Sequence, residues 1–121
     1  MNQKRVNRIS SEINKVISHC LYNTIKDPNL DPLYTGITGV NVTNDLSFAT
    51  VYISVIGDDE KKANTIKGFE NAKGYLKREI SKNVKLRHIP ELIFKIDDST
   101  ERGMHIENII NELNKTGNAN E

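Results

Sequence analysis

Asn71-Ala-Lys-Gly-Tyr-Leu-Lys-Arg-Glu-Ile-Ser-Lys-Asn-Val-Lys-Leu-Arg-His-Ile-Pro-Glu-Leu-Ile-Phe94 decides how the chain is read. It predicts a helix interrupted at Ala72-Lys73-Gly74, because glycine inside a helix costs about 1 kcal/mol relative to alanine and is common just past a helix end. Gly74 therefore marks a C-cap, a kink or a joint between two helices. Beyond it, Leu76, Ile80 and Val84 recur at i, i+4, i+8 and make one apolar helix face. Arg78, Lys82 and Lys85 fall on the opposite side, with Lys77 on the flank. Arg87 and His88 carry the positive charge into a loop that ends at Pro90. Glu79 and Glu91 are the only acids between Lys73 and Lys95, so the sequence predicts a face with little local neutralisation.

Charge is distributed unevenly around this stretch. The 121 residues carry a net charge of only +1. Residues 1–26 hold five basic residues against one acid, and residues 27–60 hold six acids with no lysine or arginine. Residues 61–95 hold ten basic residues against three acids, and residues 96–121 hold two against six. Such segregation predicts one basic and one acidic surface, and a basic stripe is the electrostatic footprint of nucleic-acid binding. The length suits a single domain. No apolar run reaches bilayer length, and the N-terminus has no signal-peptide core. The lone Cys20 has no internal disulfide partner, which fits a cytoplasmic location.

Taken in order, residues 4–26 predict an amphipathic helix on Val6, Ile9, Ile13, Val16, Ile17, Cys20 and Leu21. Asp27-Pro-Asn-Leu-Asp-Pro32 predicts a loop. Strands follow at Thr35–Thr43, with a bulge at Gly39, and at Phe48–Ile56, joined by a turn at Asn44-Asp45-Leu46. Apolar residues on both faces of the second strand predict a central, largely covered position. Phe48, Tyr52, Phe69 and Phe94 are assigned to the core. Asp58 or Asp59 caps the next helix, whose inner face is Ala63, Ile66 and Phe69. A third strand covers Glu91–Ile96. A last helix opens at the Asp98-x-x-Glu101 capping box and carries Ile106, Ile109, Ile110 and Leu113. Residues 114–121 form a frayed tail after a domain spanning 1–113. A small sheet with packed helices is an α+β domain.

Catalytic chemistry finds little support. Cys20 and His19 are neighbours on a helix and diverge. The three histidines lack metal-ligand spacing. Asp97-Asp98 suits a cap or turn better than an acid pair. Gly36-Ile-Thr-Gly39 matches the GxxG string of RNA-binding KH domains, but it lies in a predicted strand, whereas a KH GxxG joins two helices. Tyr75, beside the Ala72-Gly74 joint, is placed either in packing or as a platform for a base.

Several strings together resemble the ribosome-binding factor A family of bacterial small-subunit assembly factors. They are Arg5 and Arg8 on the first helix, Lys26-Asp27-Pro28, Val42-Thr-Asn-Asp45-Leu-Ser-x-Ala49 and Ala72-x-Gly74. The most specific is Leu86-Arg87-x-x-Pro90-Glu91-Leu92-x-Phe94-x-x-Asp97, followed by Ser99-x-Glu101-x-Gly103. The resemblance spans roughly Arg5 to Leu113. It implies a KH-like (type II) fold, α-β-β-α-α-β plus a C-terminal helix, with the Ala72-x-Gly74 kink in place of GxxG. It also implies binding to the free 30S subunit and its 16S rRNA, help in late maturation and 5′-end processing, and a theme of cold adaptation. A monomer with no catalysis, cofactor, membrane contact or small-molecule substrate is implied as well. Where the family usually has Arg, this chain has Lys77, which keeps the charge but loses bidentate geometry.

On this reading the RNA-binding residues are Arg5, Arg8, Lys73, Lys77, Arg78, Lys82, Lys85 and Arg87. Two rivals remain: a general single-stranded RNA binder on the same basic face, and a protein-interaction module without RNA contact whose acidic 27–60 region takes a basic partner.

Overall fold

A computed structural model describes residues 3–97. The elements are α1 (Gln3–Asn23), β1 (Thr35–Val42), β2 (Phe48–Val55), α2 (Asp59–Asn83) and β3 (Glu91–Ile96). The sheet order is β1-β2-β3, with β1 and β2 antiparallel and β2 and β3 parallel. A parallel pair needs a crossover, and α2 supplies it. The α+β class and the central place of β2 agree with the sequence. The expected closing helix from Asp98 and the tail from residue 114 lie outside the described residues.

Alternation along β2 decides which sheet face is covered. Ala49, Val51, Ile53 and Val55 are buried. Opposite them α1 buries Val6, Ile9, Ile13, Ile17, Cys20 and Leu21, the stripe predicted from spacing. Phe69, Leu76 and Ile80 complete the core from α2, and Leu92 and Phe94 from β3. Phe69 and Phe94 stack with ring centroids 5.3 Å apart, a geometry worth about 0.5–1.5 kcal/mol beyond the area buried. The other sheet face is more open than expected. Phe48 is 47% exposed and Ile56 70%, so Phe48 is not a core residue. Both sit at β2's ends, where no described helix lies over them.

The turns show how local chemistry fixes register. The bulge predicted at Gly39 is present as a register shift between Ile37 and Gly39, which leaves Thr38 without a β2 counterpart. In the β1–β2 turn the left-handed residue is Leu46, at φ 62°. Asn44 and Asp45 tolerate that conformation more readily than leucine does. Two features hold the turn: the Leu46 amide donates to the Thr43 carbonyl, and Asp45 accepts from the Ser47 amide and the Thr43 hydroxyl. The Ser47 amide bond leads in holding the Asp45 carboxyl below its usual range. Asp58 caps α2 as expected, accepting from the Lys61 amide.

The joint at Ala72-Lys73-Gly74 does not divide the helix. α2 runs unbroken for 25 residues, so the two middle helices expected from sequence are one. Among the described residues no glycine has positive φ, so Gly74 is not a left-handed cap. Alanine and lysine on either side favour helix, and the burial of Phe69 and Leu76 outweighs one glycine. Within α2 the glycine that sterics require is Gly68. A Cβ there would lie 2.9 Å from Leu30, whereas a Cβ at Gly74 would meet nothing within 4 Å. The inner face of α2 is accordingly Thr65, Gly68 and Phe69, with Ala63 exposed, because the 27–34 loop folds over the helix and seats Leu30 on Gly68.

Two substitutions separate these glycines. Gly74→Ala should stabilise the fold by about 0.5–1 kcal/mol, and Gly68→Ala should destabilise it by about 1–3 kcal/mol through overpacking against Leu30. Urea denaturation of both variants tests this; a destabilised Gly74→Ala protein would contradict the open helix face.

Candidate nucleic-acid interface

α2 lies between α1 and β3, and this sandwiching sorts its side chains into three groups. Toward α1 are Tyr75, whose hydroxyl donates to the Thr24 hydroxyl at 3.0 Å, and Glu79, which shares a cleft with Lys15, Val16, His19 and Cys20. Toward β3 are Lys73 and Lys77. Their ammonium groups lie 3.4 and 3.3 Å from the two carboxylate oxygens of Glu91. Facing outward are Asn71, Gly74, Arg78, Ser81 and Lys82, all exposed, with exposed Lys85 just past the helix end. Gly74, Arg78 and Lys82 follow one another at i, i+4, i+8, so bare backbone and two cations form one ridge.

The predicted basic residues therefore differ in electrostatic state. Lys73 is held by Glu70 at 3.0 Å and by Glu91, and its ammonium stands 5.9 Å from the Phe94 ring centroid. The hydrogen bond that Lys73 donates to Glu70 leads in raising its pKa. Lys77 and Lys73 together hold the Glu91 carboxyl below its usual range, the Lys77 hydrogen bond contributing most. A depressed carboxyl stabilises above its unfolded pKa and loses that contribution as pH falls through the folded value, which would then release both lysines. Local neutralisation at Lys73 and Lys77 is thus greater than the sequence suggested. Glu70 pairs with Lys73 from one turn earlier on α2, and Glu91 reaches both lysines from β3 across the α2–β3 seam.

Lys82 contacts Glu79 at 3.1 Å, but the lysine side chain is 69% exposed, and such a surface pair is weak and salt-sensitive. Arg78 lies over the Tyr75 ring at 5.9 Å. Among the described residues Arg5, Arg8, Arg78, Lys85 and Arg87 form no ion pair. Tyr75 opposite Thr24, and Glu79 beside Cys20 and Val16, show that α1 and α2 run antiparallel. The start of α1 therefore points toward the end of α2. Arg5 and Arg8 join the end of the domain that carries Lys85 and Arg87, not the middle of the ridge.

Sequence reasoning missed two lysines. Lys15 lines the α1–α2 cleft beside Glu79 and Asn83, and Lys26 lines a groove with Thr24, Ile25, Asn71, Ala72 and Tyr75. The spacing of Arg8 and Lys15, seven residues apart on one helix face, was the available signal for the first. Tyr75 is half-buried and tethered in the interhelical seam, which favours its packing role. Cys20 is buried, and burial pushes its thiol pKa up, with smaller opposing hydrogen bonds from Thr24 and Tyr75. A raised pKa and low access describe an inert thiol. Among the described residues no group of three His, Cys, Asp or Glu could hold a metal ion, and no helix is long and apolar enough to cross a membrane.

The family model described as ribosome-binding factor A matches residues 5–110. The chain belongs to the ribosome-binding factor A family. The Finegoldia magna ribosome-binding factor A is 61% identical over 115 residues, which cover 95% of each chain. The Clostridioides difficile protein is 47% identical over 111 residues, covering 92% of this chain and 86% of that one. The family's solved structures share the fold. A Thermotoga maritima relative solved by NMR superposes with a TM-score of 0.69 at 28% identity, covering 78% of this chain and 89% of its own. The crystal structure of ribosome-binding factor A from Thermus thermophilus gives 0.65 at 18% identity, covering 75% and 93%.

Glu91→Gln should free Lys77 for phosphate and leave Lys73 held by Glu70 alone. The salt dependence of single-stranded RNA binding should then steepen by about one to two in log–log slope, with little loss of stability because both pairs are exposed. Fluorescence anisotropy across a salt series checks this, and an unchanged slope would show that these lysines stay outside the interface. A second expectation concerns Cys20: in native buffer it should react with a thiol reagent orders of magnitude more slowly than in denaturant.

Proposed function

We propose that the protein is a non-enzymatic assembly factor that binds the free 30S subunit and contacts its 16S rRNA through the outward ridge of α2. The observation that carries this reading is the alignment of Gly74, Arg78 and Lys82 on a side of α2 that, among the described residues, neither α1 nor β3 covers, continued by exposed Lys85 and Arg87 in the loop that follows. Phosphate binding needs accessible cations, and Gly74 lets a sugar–phosphate backbone approach with no side chain in the way. Family membership supports the same reading. So does the likeness in fold to a Thermus thermophilus ribosome binding factor A model fitted into the map of a 30S complex, at a TM-score of 0.61 and 17% identity.

On this proposal the domain is KH-like and spans residues 1–113, with 114–121 as a tail. The Ala72-x-Gly74 segment does the work of a GxxG loop from within a continuous helix. Arg5, Arg8, Lys15 and Lys26 add long-range attraction from the sides, while Lys73 and Lys77 engage RNA only by exchanging Glu91 for phosphate. Contacts of this kind position a protein without reading sequence, so selectivity comes from the shape of the maturing subunit. The protein acts as a cytoplasmic monomer late in maturation, assists 5′-end processing and adds no catalytic group of its own.

The test is co-sedimentation with isolated small subunits, assembled ribosomes and unrelated RNA across a salt series. Arg78→Glu with Lys82→Glu should lower affinity for small subunits by about 10-fold or more at physiological salt and leave the melting temperature unchanged. Undiminished binding would remove the ridge from the interface. Equal binding of the unaltered protein to all three targets would identify a general single-stranded RNA binder.

A further inference from the structure

The opposite end of the molecule carries a surface of the reverse character. Leu33 is 82% exposed, Tyr34 44% and Ile56 70%. They share one corner. Leu33 precedes Tyr34, and the Ile56 amide donates to the Tyr34 carbonyl at 2.9 Å, which continues the β1–β2 pairing by one position. Isolated exposed apolar residues are ordinary, but three together at one corner mark an interaction surface.

Its rim is acidic. Asp31 turns the loop beneath Leu33, accepting from the Leu33 amide, and Asp58, Asp59 and Glu60 follow Ile56 after Gly57. The whole span 27–60 contains no lysine or arginine. The basic residue that does reach the corner, Lys61, is held over the Tyr34 ring at 3.9 Å from its centroid. The ring is thus placed to take a cation and already holds one. Asp59 opens α2 and Lys82 lies near its end, so the acidic corner and the basic ridge are about 35 Å apart along the helix.

We propose that this corner docks a basic protein segment, one that seats an apolar side chain against Leu33, Tyr34 and Ile56 and sets lysines or arginines against Asp31, Asp58, Asp59 and Glu60. Charge complementarity selects this occupant. A nucleic acid would bring phosphates to carboxylates, and a second copy meeting face to face would set acid against acid; both are repulsive. The choice of the small subunit as the source of that segment rests on the function proposed above. The protein would then bridge RNA at one end and a ribosomal protein at the other.

The variant is Leu33→Ser with Ile56→Ser, two exposed positions whose loss should leave the melting temperature unchanged. Its binding is measured against intact small subunits and against protein-free small-subunit RNA. Affinity for intact subunits should fall by about fivefold or more, while affinity for bare RNA stays within about twofold. In parallel, benzoylphenylalanine placed at Leu33 is photo-cross-linked to intact subunits and to the protein mixture extracted from them. A cross-link to a ribosomal protein in both supports the proposal. Cross-links only to RNA or to a second copy, no cross-link, or unchanged subunit affinity would overturn it. If the unaltered protein ignores small subunits yet cross-links to the extracted basic proteins, the assembly-factor reading fails and the docking corner stands.

Discussion

Phe69 and Phe94 stack in the seam between α2 and β3, and much of what the domain displays depends on that seam. Among the described residues β3 is an edge strand, paired with β2 on one side only. α2 is held against it through Phe69, Leu76 and Ile80. The seam fixes the rotation of α2 about its own axis. Rotation in turn decides which cations face β3, where Glu91 waits, and which face water. The division between neutralised lysines and the open ridge is therefore a result of core packing, not of surface charge count.

The same constraint explains what the sequence revealed and what it hid. Apolar spacing identified α1, the basic half of α2 and β3 because each buries one regular stripe. The Asp58 cap and the bulge at Gly39 were legible because glycine and cap residues act locally. Tertiary contacts were harder to see. Gly74 drew the eye as a helix breaker, yet the helix runs through it. Gly68 drew none, although Leu30 rests on it from a loop 38 positions earlier. Leu46 carries the left-handed turn conformation that the neighbouring Asn44 and Asp45 would have suggested for themselves.

For the interface, the residue types were visible and their states were not. Arg78 and Lys82 stand where the helix period put them, and Lys85 and Arg87 follow in the loop after α2. Lys73 and Lys77 were placed correctly on the flank, but a flank can meet water or another element. Only the parallel register of β2 and β3, which brings Glu91 beside α2, shows that they meet a carboxylate. Lys15 shares a helix face with Arg8, but its relation to α2, like that of Lys26, runs through α1–α2 packing, which local spacing does not reveal.

The parallel pairing of β2 with β3 has a consequence for synthesis. An antiparallel hairpin such as β1–β2 can close as soon as its own residues exist, whereas β3 must wait for the entire α2 crossover. A chain growing from its N-terminus thus has the α1–β1–β2 half before the strand that steadies α2. Until residues near 96 have been added, Phe69 lacks Phe94 and the two lysines lack Glu91. In a nascent or truncated chain Lys73 would keep only Glu70 and Lys77 would have no carboxylate partner, so full shielding of the two lysines and completion of the sheet are one event.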